Sequence, residues 1–346
     1  MTLSTGVDKY IPMSNHITPR FETPLTTTFG IRMPVVAGGL MWLSDADYVS
    51  AAAKAGIISF ITAASFPEPN DLRAEIRKCR RLCEGAPFGV NVSMLPKLVP
   101  GEKTADVFRL IADEGVKFVE TSGRNPEPYM PMLKDAGIVV LHKVPSVRFA
   151  MKAQSIGADM VSIVGAECGG HPGLDMIGSI VNSALAETHL EIPYLIGGGI
   201  GTGSQVVAAL SMGAAGVVIG TRFLVAEELN AHSNYKQALI DATERDTALT
   251  MSTVRNTVRS LANETTRVVS ELEANNPNIS IEELLPHVSG QIGRNAYETG
   301  DVSHGILSAG HALGFVSEIK PLGDIVAQLE QEAGTAMDRL SLAKVS

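Results

Sequence analysis

Two glycine-rich turns carry the first sign of chemistry. IPYLIGGGIG (Ile192–Gly201) and AGVVIGTRF (Ala215–Phe223) each run from a short apolar segment into glycine. Glycine lets the backbone bend sharply and approach a ligand closely, so successive N–H groups can converge on an anion. Gly197, Gly198 and Gly199 stand in the first turn, and Gly220 and Thr221 in the second. A helix beginning near Thr202 would add the positive end of its dipole. A single turn of this kind could be no more than a tight bend; two, on consecutive strands, point to a bound phosphate. GGGIGTG also resembles a dinucleotide fingerprint. That motif needs an acidic residue at the end of the next strand, whereas here the strand ends Ile219-Gly220-Thr221.

A second constellation is VGAECGGHPG (Val164–Gly173). His171 sits among Gly165, Gly169, Gly170 and Gly173, with Pro172 stiffening its position. An imidazole there can act near neutral pH as a base or as a hydrogen-bond donor. Glu167 is either an acid or a carboxylate that orients backbone amides. Cys168 has no cationic neighbour in the sequence to favour a thiolate. Polar residues also close several apolar segments: Asn91 and Ser93, Thr121 and Ser122, His142 and Lys143. Lys143 is the sharpest of these, because a cation at a strand end can face the electron-rich edge of a flavin and stabilise its reduced form. His142 lies within its strand and reads as a hydrogen-bonded core residue.

The elements that must position these groups alternate. Candidate strands are residues 34–37, 57–62, 88–92, 117–120, 138–142, 160–164, 194–197 and 217–220, short and rich in Val and Ile. Strands apolar almost throughout are buried on both faces, which favours a parallel sheet. Helical patterns at 45–54, 70–82, 104–114, 147–156 and 203–212 lie between them. Gly56, Gly115, Gly137, Gly157 and Gly213 follow these helices, where C-cap glycines belong. Eight β-α units make an α/β fold, a (β/α)8 TIM barrel, whose chemistry sits at the strand C-termini and whose last two loops often grip a phosphate. From about 226 to 300 the periodicity is helical, without clear strands, with a turn at Asn275–Asn278 and a capped helix start at Ser280–Leu285. The expected organisation is an extension over 1–22, a barrel over 23–225 and 301–346, and a helical insertion over 226–300 after strand 8. Residues 321–342 form the closing outer helix.

Composition narrows the function classes. The chain has 346 residues, the length of one barrel with an addition. Its net charge of −9 argues against a nucleic-acid surface, and the densest basic stretch, Arg73–Arg81, reads as one solvated helix face. Three cysteines make no disulfide framework. Cys79 and Cys83, four apart on a helix without a nearby histidine pair, read as buried thiols and not as metal ligands. The first residues lack a signal-peptide pattern and no apolar run is long enough to span a membrane. The expectation is a cytoplasmic enzyme with a small-molecule substrate, no metal, no nucleic acid and no membrane insertion, with room for a homodimer.

These residues together resemble the nitronate monooxygenase family, also called 2-nitropropane dioxygenase-like proteins, over nearly the whole chain. MPVVAGGLMW (Met33–Trp42) is similar to the family's first-strand motif, whose backbone at Ala37, Gly38 and Gly39 lies against the isoalloxazine. GVNVSMLP (Gly89–Pro96) and ETSG (Glu120–Gly123) match the next two loops, and His142–Gly173 is the most specific match. The resemblance implies non-covalent FMN, with Gly198, Gly199, Gly220 and Thr221 on its phosphate, Asn91, Ser93 and Lys143 near the ring, and His171 as the catalytic or substrate-contacting residue. RNTVRSLAN (Arg255–Asn263) and Ser289–Gly314 resemble the family's helical region and its return to the barrel. ECGGHPG and the SGQ…GD…SAGH segment are nearer the branch containing NAD(P)H:quinone reductases. The activity expected is oxidation of alkyl nitronates with O2 through FMN. The alternatives are an NAD(P)H:quinone reductase with NADH or NADPH as co-substrate, a flavin enoyl reductase, and a non-catalytic FMN-binding barrel.

Overall fold

The computed structural model describes residues 19–94 and 103–343. Most of the expected N-terminal extension, and Leu95 and Pro96 of the third-strand motif, lie outside the described residues. The first element is α1 (Pro24–Phe29), started by a capping box between Thr23 and Thr26 with proline at its first position. Eight strands then close a parallel barrel in chain order: β1 (Val35–Ala37), β2 (Ile58–Thr62), β3 (Gly89–Met94), β4 (Phe118–Gly123), β5 (Val139–Val144), β6 (Met160–Val164), β7 (Tyr194–Gly197) and β8 (Gly216–Ile219). β8 pairs back with β1 through Val35↔Val217, Val36↔Val218 and Ala37↔Ile219. Between the strands lie α2 (Ala46–Lys54), α3 (Pro69–Cys83), α4 (Thr104–Asp113), α5 (Met130–Asp135), α6 (Val147–Ser155), α7 (Ser179–His189) and α8 (Gly203–Ser211). The five expected C-cap glycines all take positive φ, from 66° at Gly137 to 90° at Gly213.

The barrel is a filled core. Val36, Ile58, Phe60, Leu141, Met160, Leu195 and Val218 point inward and are buried. Leu25 and Phe29 of α1 join this cluster. A Cβ on Gly216, at the start of β8, would stand 2.5 Å from Leu25, so α1 packs against the N-terminal mouth. Only the C-terminal mouth is left for chemistry.

After β8 come α9 (Ser233–Asp241), β9 (Thr247–Thr250), β10 (Val258–Leu261), α10 (Glu264–Asn275), α11 (Ile281–Val288), α12 (Gly290–Thr299) and α13 (Leu322–Leu342). The α11 start is a capping box of Ser280 with Glu283, as its sequence predicts. α13 packs against α8 and α2 and closes the helical ring. A Cβ on Gly203 would lie 1.9 Å from the Leu329 carbonyl, so no larger residue fits at that crossing.

The antiparallel hairpin β9–β10 corrects the expectation of a purely helical stretch. Each of its strands has four residues, and the turn between them contains no glycine; Met251 and Arg255 take the positive φ angles instead. β10 is held by its neighbours, because Gly170 and Arg259 exchange backbone hydrogen bonds of 2.9 and 2.7 Å. Nothing local in the sequence marks such a strand. α7 also escapes a pattern search: its buried side is Ser179, Asn182, Ser183 and Ala186, while Ile180 and Val181 face solvent.

The basic run on α3 is a paired face. Arg77 donates to both oxygens of Glu114 at 2.9 Å, and Arg73 adds a bond of 2.5 Å. Cys79 and Cys83 are buried, with sulfurs 3.7 Å apart. Among the described residues, no helix is long and apolar enough to cross a membrane. Nor do three or more His, Cys, Asp or Glu residues gather there as a metal site would require.

Candidate active site

The glycine turns lie side by side at the C-terminal mouth. β7 and β8 pair through Gly197↔Val218, and both turns follow at once. Gly198 and Gly199 have φ of 105° and 70°, a region that L side chains avoid. No acceptor among the described residues takes the amide hydrogens of Gly198, Gly199, Gly220 or Thr221. A Cβ added at Gly220 would meet nothing nearer than Leu40 at 4.0 Å. Four undonated amides beside open space form a cradle for an anion. The helix that follows contributes less than the sequence suggests. α8 begins at Gly203, whose amide donates to Glu332 at 2.8 Å, and the Gln205 amide is taken by the Thr202 cap. Of these first helix amides only that of Ser204 is left, so the loop amides are the main donors that remain for a ligand.

The cradle is braced from behind. Ser179 Oγ lies 2.8 Å from Glu167 Oε2 and 2.9 Å from the carbonyls of Gly197 and Gly198. The Ser179 amide donates to both Glu167 oxygens at 3.1 Å. Glu167 is thus a carboxylate that fixes backbone, the second of its two readings. The Thr221 hydroxyl oxygen accepts from the Gly310 amide at 3.0 Å, which ties the β8 turn to the segment returning from α12.

Across the mouth the rim is made of side chains. Ser93 Oγ donates to Asn91 Oδ1 at 3.1 Å, and it lies 2.9 Å from Ser122 Oγ. Because the Ser93 proton goes to Asn91, Ser122 donates to Ser93. Asn91 Nδ2 donates to Glu120 Oε2, and Lys143 Nζ donates to Glu120 Oε1 at 3.1 Å. The Glu120 side chain has no solvent exposure, while that of Lys143 retains 21%. Glu120 is the residue that the sequence reading missed. Its signal was a carboxylate within the buried stretch of a strand, next to Val119, where a charge must have a partner. The β1 turn closes over this group: a Cβ on Gly39 would lie 2.8 Å from Asn91, and one on Gly38 would lie 3.8 Å from Lys143 Nζ. Ala37 itself is buried at the end of β1. Thr121 and His142 alternate with this set and face the helices. Thr121 Oγ1 is 2.8 Å from His142 Nδ1, and burial pushes the imidazole down to about 4, against the hydrogen bond to Thr121.

His171 lies on the β6 loop and remains exposed. The protein around it lowers its pKa below the ordinary histidine value, with the Asn256 side chain opposing. The ring is therefore neutral near pH 7 and can accept a proton. Its loop is clamped by the hairpin: Gly170 pairs with Arg259, whose guanidinium donates to the Ala166 carbonyl at 3.1 and 3.3 Å. The His311 amide donates to the Glu167 carbonyl at 3.0 Å. A Cβ on Gly169 would be 2.7 Å from Ala309, so the two segments touch backbone to backbone. Cys168 is buried between them, and burial pushes its thiol up to about 12.

This arrangement can hold a phosphorylated planar group. The unpaired amides would take the phosphate. The bare β1 turn and the Lys143 edge leave a flat surface, and His171 stands free to meet a substrate. The family model described as nitronate monooxygenase matches residues 22–332. A curated relative from Mycobacterium tuberculosis, (3aS,4S,5R,7aS)-5-hydroxy-7a-methyl-1-oxo-octahydro-1H-indene-4-carboxyl-CoA dehydrogenase, is 33% identical over 224 residues. The match covers 64% of this chain and 61% of the relative, so the chain spans about three-fifths of that protein's length. The structure of FabK from Thermotoga maritima superposes with a TM-score of 0.85 at 29% identity, over 94% of this chain and 100% of that one. The nitroalkane oxidase from Streptomyces ansochromogenes superposes with a TM-score of 0.76 at 26% identity, over 91% and 99%.

Proposed function

Since the chain belongs to the nitronate monooxygenase family, we propose that it is a flavin-dependent oxidoreductase that binds FMN non-covalently and oxidises alkyl nitronates with O2. The observation that carries the cofactor is the set of undonated amides at Gly198, Gly199, Gly220 and Thr221, on the adjacent turns after β7 and β8. Asn91, Ser93 and Lys143 line the opposite side, under the backbone of Ala37, Gly38 and Gly39. When bound, FMN would supply the electron acceptor for the substrate and the redox partner for O2.

The protein's own part is positional and electrostatic. His171, neutral near pH 7, donates a hydrogen bond to a nitro oxygen or accepts a proton. Lys143 offsets negative charge gathering on the ring edge. In this reading residues 226–300 are a subdomain whose hairpin holds the histidine loop in place.

A second reading has a specific observation behind it. The carboxyl-CoA dehydrogenase relatives match at 33% and 31% identity, above the 27% of a nitronate monooxygenase from Paraburkholderia phytofirmans. In that reading the substrate is an acyl thioester. A nitro group and a thioester both acidify the adjacent carbon, so one site serves either.

The test is anaerobic mixing of the yellow protein with a propyl nitronate, with NADH or NADPH, and with an acyl-CoA, following loss of the flavin band. Bleaching by nitronate alone supports the first reading. Bleaching only by a nicotinamide moves the protein to quinone or enoyl reduction, and bleaching only by acyl-CoA to the second reading. Protein that takes up FMN and is bleached by none would be a non-catalytic barrel.

A further inference from the structure

We propose that Glu120 is a positioning residue that cancels the charge of Lys143 and so sets the reduction potential of the bound flavin. The inference rests on the reading that Lys143 borders a flavin. It concerns a residue that touches neither flavin nor substrate and acts through its two partners.

The geometry is specific. Glu120 and Asn91 are register partners across β3 and β4, and Ser122 and Lys143 across β4 and β5. All four point toward the barrel axis near its C-terminal end. Beneath them the interior is apolar, with Phe60, Leu141 and Leu195 buried. A carboxylate in such a place is stable only when paired and hydrogen-bonded. Glu120 has both kinds of support, because Lys143 takes one oxygen and Asn91 the other. The Glu120 carboxylate, which only accepts, fixes the Nδ2 end of the Asn91 amide toward it and leaves Oδ1 for Ser93.

An ammonium at the edge of a flavin favours the reduced, negatively charged form. An ion pair does so far less, because its field falls off as a dipole's and not as a charge's. Structure alone does not demand the carboxylate: a neutral hydrogen-bonding residue would brace Asn91 as well. What only the carboxylate supplies is a negative charge 3.1 Å from the ammonium. The consequence is a reduced flavin held weakly enough to give its electrons to an acceptor.

Glu120→Gln tests this on the FMN-loaded protein by anaerobic, dye-referenced potential titration, a measurement independent of turnover. The expected result is a shift of at least tenfold toward the reduced form, about 30 mV for a two-electron couple, with FMN still bound in full. Glu120→Asp, which retains the charge but withdraws it by one methylene, should shift the potential the same way by less. Glu120→Gln/Lys143→Met carries neither charge and should return toward the wild-type value. If Glu120→Gln does not fold, Glu120→Asp decides by the direction of its shift. A folded Glu120 variant with full FMN and an unchanged potential would reduce Glu120 to a structural brace and overturn the proposal. Wild-type protein that takes up no FMN would overturn the flavin reading itself, a different failure that is seen before any potential is measured.

Discussion

From β7 round through β8 to β1 the rim of the barrel is backbone. Gly198, Gly199 and Gly220 present undonated amides, Gly38 and Gly39 bare Cα atoms, and a Cβ at Gly39 would collide with Asn91. From β3 round to β6 the rim is side chain: Asn91, Ser93, Glu120, Ser122, Lys143 and His171. The two halves solve different problems. Amides in a turn hydrogen-bonded from behind are fixed in direction, so an anion would bind there with little loss of entropy. Side chains in a relay can be exchanged one at a time, so they tune charge and protonation. Damage should therefore be all-or-none on the glycine half and graded on the other.

The largest effect expected on that division is from Gly199→Asp. The residue sits at φ +70°, and its Cβ would lie 3.0 Å from Glu167 Cβ. The variant adds strain and a carboxylate next to the amides proposed to hold the FMN phosphate. We expect complete loss of FMN on gel filtration, with far-UV circular dichroism unchanged. Retention of FMN would remove the phosphate from this turn and break the comparison at once.

His171→Ala should act on the other half alone. FMN content should be normal, and reduction of the flavin by the better donor should slow by about 10²–10⁴-fold if the imidazole works as an acid–base group. Stopped-flow absorbance separates this from a loss of substrate binding, which would raise KM and leave the saturating rate alone. Wild-type rates in both half-reactions would take His171 out of the mechanism.

The same two halves differ in how far they could be read without a structure. The glycine turn after β7 was legible because the constraint is local: at Gly198 and Gly199 the conformation itself demands the residue type. The barrel was legible for the same reason, since each buried strand and each C-cap glycine is a short-range signal. Residues 160–164 and 194–197 coincide with β6 and β7 to the residue. Glu120 was not legible, because its meaning depends on Lys143, twenty-odd residues away on the next strand. The hairpin β9–β10 was missed because its partner, Gly170, lies far back in the chain. α7 was missed because its apolar residues face outward.

A third prediction uses the outward face of the side-chain half. His142 is held neutral, with its pKa pushed down to about 4 by burial. In the unfolded chain it titrates near the ordinary histidine value of about 6.5. Between those two values the unfolded state binds a proton that the native state refuses. Stability should therefore fall as pH drops from about 6.5 toward 4, by ~3 kcal/mol at most from this group. Urea midpoints measured across that window should decline less steeply for His142→Gln than for the wild type. Identical slopes would mean that His142 is not held neutral in the folded protein.

The smallest effect concerns Thr221, a side chain on the backbone half. Its amide is one of the four left free, yet its hydroxyl oxygen already accepts the Gly310 amide at 3.0 Å. Both groups are buried. Thr221→Val retains the shape and the free amide and deletes only the acceptor. An unsatisfied buried amide costs about 1–3 kcal/mol, so the urea midpoint should fall while FMN affinity changes little. Thr221→Ser restores an acceptor and should recover most of that stability. The opposite pattern, FMN binding weakened more than tenfold at unchanged stability, would make the hydroxyl a phosphate ligand in its own right. The glycine half would then use a side chain as the other half does, and the division between a backbone that binds and side chains that tune would hold only for β7 and β1.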